Sequence, residues 1–113
     1  MLIVNETDHP DLLVIHLSGK LDFTNAEDVE NSIKELINTG GKNLIINLRE
    51  VSFISSSGIR VLLISVKLAE SLGLKVVYTE IQEKARYLLE ILGLQDQIKI
   101  AGSYDEAVKM ITG

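Results

Sequence analysis

The chain contains no cysteine, no tryptophan and a single proline. Without cysteine there is no disulfide frame, no thiol nucleophile and no Cys-based metal site. Positive charge is also scarce. Eleven Lys and Arg against sixteen Asp and Glu leave a formal charge of −5, which argues against a nucleic-acid partner and against a basic membrane-binding patch. Long apolar runs are missing: a run such as Val61–Ile64 is far short of a membrane span. The N-terminus, Met1-Leu2-Ile3-Val4-Asn5-Glu6, lacks the basic start and apolar stretch of a signal peptide. These absences imply a soluble cytoplasmic protein. No Pro/Gly/Ser-rich linker, internal repeat or low-complexity segment divides the 113 residues, so one domain over 1–113 is expected. Its 46% hydrophobic and 24% charged residues exclude a disordered chain, while its size leaves little room for a deep enclosed active site.

What is present reads as alternating strands and helices. Leu2–Glu6 and Leu12–Ser18 are predicted strands, paired antiparallel through a turn at Asp8-His9-Pro10-Asp11. In the second, Leu13, Ile15 and Leu17 share one face, with His16 and Ser18 on the other. Leu44–Leu48 is apolar without alternation, as in a central strand covered on both sides. Lys75–Thr79 and Ile98–Ile100 complete the set. Helical spacing is predicted over Asn25–Asn38, stopped by Gly40-Gly41, over Gln82–Leu92, stopped by Gly93, and over Tyr104–Ile111. A further helix runs from the serines near 56 to Leu72. The order ββαβαβαβα predicts an α/β domain with a mixed sheet and about four helices.

The helix starts differ in chemistry. Thr24-x-x-Glu27, Thr79-x-x-Gln82 and Ser103-x-x-Glu106 all fit a capping box. The second helix opens instead on Ser55-Ser56-Ser57-Gly58-Ile59-Arg60, with hydroxyls but no carboxylate. A helix N-terminus favours an added anion, and phosphate on one of these serines would supply about −1.5 to −2 charge. This helix is also more apolar than one sheet-facing stripe requires. Val61, Ile64 and Leu68 are surplus, to be buried between the first and third helices or covered by a partner.

Val51-Ser52-Phe53-Ile54-Ser55-Ser56-Ser57-Gly58-Ile59 follows directly on a predicted strand. It resembles the STAS family, specifically the bacterial anti-sigma factor antagonists, whose signature runs V-x-F-(apolar)-D-S-S-G-(apolar) from strand into helix. Gly19-Lys20-Leu21-Asp22 is similar to that family's G-x-L-D, and Leu88 to Leu94 to its L-x-x-x-G-L helix end. The resemblance implies a non-enzymatic STAS domain without cofactor or metal. It also implies a partner, an anti-sigma factor that is itself a serine kinase. The unphosphorylated protein would bind that factor and free the sigma factor. Phosphorylation, carried over onto Ser56, would release it, and a serine phosphatase would reset the switch. Ser55 stands where the family has Asp, so Ser55 and Ser57 are alternative acceptors. The resemblance places Asp22, Ser55, Ser56, Ser57, Gly58 and Val61 at the partner surface. A phosphorylation-independent scaffold of another signalling or transport system is the alternative reading.

The remaining candidates read as ordinary structure. His9 falls in a turn, and His16 on a strand beside Ser18 suits a hydrogen-bonded histidine better than a catalytic base. No acid–base pair, phosphate loop or G-x-S-x-G motif is present, and a small enzyme or nucleotide binder is the distant third reading. Arg86, Tyr87 and Ile91 lie off the third helix's stripe, as surface scatter or a contact with the second helix.

Overall fold

The computed structural model describes residues 2–6 and 10–112. Asp8 and His9 of the predicted turn lie outside the described residues; Pro10 and Asp11 form a turn that enters the second strand. The elements follow the predicted order: β1 Leu2–Glu6, β2 Leu12–Leu21, α1 Ala26–Gly40, β3 Asn43–Ile54, α2 Ser56–Ser71, β4 Val76–Thr79, α3 Glu83–Ile91, β5 Ile100–Ala101 and α4 Tyr104–Thr112. The five strands lie in sequence order, β1 antiparallel to β2 and the rest parallel.

Side-chain alternation sorts the core into two layers. Leu13, Ile15 and Leu17 of β2, Leu44, Ile46 and Leu48 of β3, and Tyr78 of β4 meet the apolar stripes of α1, α2 and α3. The opposite face, with Leu12, Val14, Ile45 and Val77, is covered by Ala107 and Ile111 of α4. Leu12 to Ile15 are therefore all buried, as a strand covered on both faces requires. The surplus apolar side of α2 packs on α1: Val61 is only 2% exposed, and Ile64 and Leu68 are half-buried.

The strands differ from expectation in length. β2 continues past Ser18 to Leu21, and β3 past Leu48 to Ile54. They continue because they pair with each other, through Ser18–Glu50, Lys20–Phe53 and Leu21–Ile54, across shifts of register near Gly19. Gly19, at φ 108°, adopts a backbone conformation open to glycine and strained for other residues. Beyond the level of Thr79, where β4 ends against Asn47, this parallel ribbon runs on alone. Its two ends carry Asp22 and Ser55. At the other edge, Ile98, expected to begin β5, is a buried residue of the preceding turn, its N–H bonded to the Leu94 carbonyl.

Candidate functional site

Ser55 is the N-cap of α2. Its hydroxyl accepts from the Gly58 N–H at 3.3 Å, and its carbonyl accepts from the Ile59 N–H at 2.9 Å. Its own N–H donates to the Leu21 carbonyl at 2.9 Å, which ties the end of β2 to the helix tip. Ser56, the first helical residue, is exposed; Ser57 is half-buried. The N–H groups of Ser56 and Ser57 have no partner among the described residues, as expected for the first turn of a helix. α1, α3 and α4 each carry an acidic residue in the first turn, whereas α2 carries none. The tip is thus a cluster of unneutralised N–H dipoles beneath an exposed hydroxyl, a field that stabilises an anion.

Gly58 corrects an expectation. It is buried, so it does not present backbone to a partner. A Cβ there would lie 2.8 Å from Leu21 Cγ, the Leu21 carbonyl oxygen and Ile54 Cγ2. The glycine lets the helix start sit directly on the two strand ends. Val61, placed at the partner surface by the resemblance, is likewise buried; it forms the floor of a groove rather than an exposed contact.

Asp22 follows the end of β2, whose last residue Leu21 bonds this tip. Its Oδ1 accepts from the Thr24 N–H at 2.9 Å and from the Thr24 hydroxyl. The Thr24 side chain and N–H hold the carboxyl below the usual carboxylate range. The Asp22 N–H donates to Asn25 Oδ1 at 3.1 Å, and Asn25 Nδ2 donates to the Lys20 carbonyl at 2.7 Å. Thr24 therefore serves the Asp22 turn instead of a capping box with Glu27; the cap is Asn25, and it makes no side-chain cap bond. The Thr79–Gln82 box fails for another reason. Thr79 is the last residue of β4, paired to Asn47 and buried, with its hydroxyl unpartnered. The third forms. The Ser103 hydroxyl accepts from the Glu106 N–H at 3.1 Å, and Glu106 reaches back to the Gly102 N–H at 3.0 Å.

Two grooves flank the serines, each with an exposed phenylalanine that periodicity reasoning passed over. Between α1 and α2 lies a groove of about 390 Å³, lined by Phe23, Glu27, Glu30, Asn31, Ser57, Arg60 and Val61. Between the end of β3 and α3 lies one of about 200 Å³, bordered by Phe53, Gln82, Lys84 and Leu88. Phe23 is 82% exposed and Phe53 51%. A usable signal existed: Phe23 lies between Asp22 and Thr24, inside the turn, and has no place in the α1 stripe of Val29, Ile33 and Ile37. Large exposed aromatics beside an exposed hydroxyl suit a protein interface.

Elsewhere, a larger groove of about 450 Å³ between α3, β5 and α4 mixes Arg86 and Lys99 with Glu90 and Asp96 and shares no residue with the serine tip. Tyr87 and Ile91 are 62% exposed and so are not buried against α2. His16 is half-buried on β2. Among the described residues, no group of three His, Asp or Glu side chains is placed to hold a metal, and no helix is long and apolar enough to cross a membrane.

The profile of the STAS domain matches residues 4–107. The anti-sigma F factor antagonist of Paenibacillus polymyxa is 29% identical over 105 residues, covering 92% of this chain and 87% of that protein. Among solved structures, a Thermotoga maritima protein superposes with a TM-score of 0.89 at 20% identity, covering 98% and 95% of the two chains. The phosphorylated form of the Bacillus cell fate determinant SpoIIAA superposes at 0.71 with 23% identity, covering 97% and 99%.

Proposed function

The chain belongs to the STAS domain family, and on that premise we propose that it is an anti-sigma factor antagonist acting in the cytoplasm by binding rather than catalysis. The unphosphorylated tip, with Asp22, Phe23 and Phe53 around it, docks on the anti-sigma factor. That factor, acting as a serine kinase, phosphorylates Ser56 and is released. A serine phosphatase restores the binding form. The observation that carries this reading is the α2 tip: Ser56 is exposed, stands over free N–H groups, and has no acidic residue in its turn. Phosphate there is welcomed by the helix, yet it adds charge and bound water to a surface that otherwise docks by fit.

Ser55 in place of the family's Asp supports a second reading, a scaffold that binds without being switched. Ser55 already caps the helix, so the tip is structurally complete without a carboxylate.

Incubation with the cognate anti-sigma factor and ATP, followed by site mapping, separates the two. The expected result is one phosphate on Ser56. No phosphate, or phosphate outside residues 55–57, overturns the switch. Ser56→Asp is expected to weaken binding at least tenfold; equal affinity of wild type and variant favours the scaffold.

A further inference from the structure

Arg60 is exposed on α2, and among the described residues its side chain makes no ion pair or hydrogen bond. It stands four residues after Ser56 and three after Ser57, the two spacings that bring helix side chains together. Long helical side chains lean toward the helix N-terminus, so the serine turn is within reach of its guanidinium. Arg60 also shares the groove beneath Phe23 with Ser57, where the other charged groups are Glu27 and Glu30 of α1. Glu30 is occupied by Lys34 at 2.8 Å, and neither glutamate pairs with Arg60. A fixed cation thus lies between an acidic groove and a hydroxyl at the helix tip, committed to neither.

We propose that Arg60 is the intramolecular partner of phosphate on Ser56, and that engaging the phosphate draws its side chain out of the groove beside Phe23. Phosphorylation then changes two surfaces at once. The tip gains an anion held by Arg60, and the groove loses its cation, leaving Glu27 and Glu30 beside Phe23. Arginine suits the task because its planar fork meets phosphate oxygens in pairs. Arg60 is a positioning residue here. The inference rests on the reading that Ser56 carries the phosphate.

The test places phosphoserine at position 56 during translation, by an expanded genetic code, so that no kinase is needed. The phosphate is titrated by phosphorus NMR in wild type, Arg60→Gln and Arg60→Lys. An exposed phosphoserine loses its second proton near about pH 6. With Arg60 present, the dianion is favoured, and proton affinity is expected to be about threefold lower or more than in Arg60→Gln. Arg60→Lys is expected to fall between them, and the difference to shrink at about 1 M salt. In amide spectra, phosphorylation should shift Glu27 and Asn31 in wild type but not in Arg60→Gln. Coincident titration curves, or the same groove shifts in both proteins, would overturn the role of Arg60 and leave the antagonist reading intact. Absence of kinase labelling within residues 55–57 would overturn the proposed switch instead, and these titrations would be unaffected.

Discussion

Gly58 and Asp22 fix the tip through opposite means, one by having no side chain and the other by spending its own. Gly58→Ala adds a methyl group 2.8 Å from the Leu21 carbonyl, a backbone atom with little freedom to retreat. Overpacking of this kind costs about 1–3 kcal/mol, offset in part by alanine's better helix propensity of about 1 kcal/mol. A net loss of about 0–2 kcal/mol is expected in urea unfolding, and a variant stabilised by about 1 kcal/mol would refute the close approach. Asp22 gives a prediction in pH. Its folded carboxyl titrates below its ordinary value because Thr24 donates to the charged form. Its contribution is therefore present above the unfolded pKa of about 3.9 and is lost as pH falls through the folded value. Thr24→Val removes the hydroxyl donor and keeps the N–H. The Asp22 pKa, followed by carbon NMR, should move up toward the ordinary value; no movement would show that the hydroxyl contributes nothing.

Among the elements, β4 and α2 are joined by a buried hydrogen bond. The Tyr78 hydroxyl donates to the Leu62 carbonyl at 2.9 Å, and the ring is fully buried. Burial pushes this phenol well above its ordinary range. Above about pH 10 the unfolded chain releases the phenolic proton while the folded chain keeps it, so stability falls as pH rises beyond that value. Tyr78→Phe should be less stable by about 1 kcal/mol at neutral pH and show a shallower decline between pH 9 and 11, measured by denaturant midpoints. The helical stripes and the strand–serine–helix junction were legible because periodicity and a local motif reside in neighbouring residues. The lengths of β2 and β3 were not. Arg49 and Glu50 interrupt the apolar pattern, and only cross-strand pairing of Lys20 with Phe53 and of Leu21 with Ile54 reveals the ribbon that holds the site. Two of the three capping boxes misled for a related reason. Thr24 is claimed by the Asp22 turn and Thr79 by the sheet, partners that spacing alone does not disclose. Gly58 belonged to the motif and Val61 was placed at the partner surface with it, but whether such a residue faces inward is decided by what packs on it.

At the scale of the whole molecule, an acidic domain with a charge of −5 presents its two exposed phenylalanines on either side of one helix tip. Phe23→Ser should leave unfolding within about 0.5 kcal/mol of wild type, because the ring is already in water, yet lower partner affinity tenfold or more in titration calorimetry. Unchanged affinity would remove Phe23 from the docking surface. The helix between the two rings is fastened at its first turn by Gly58 against Leu21 and Ile54, and at its second by the bond from Tyr78. Under the proposed switch, adding or removing phosphate changes what that mount carries and which side chains lean over it, but not where it stands. Return to the binding form then requires no refolding step and leaves no lag. The protein keeps no record of earlier cycles, and at each moment its bound fraction reports only the current balance between the enzymes that add and remove the phosphate.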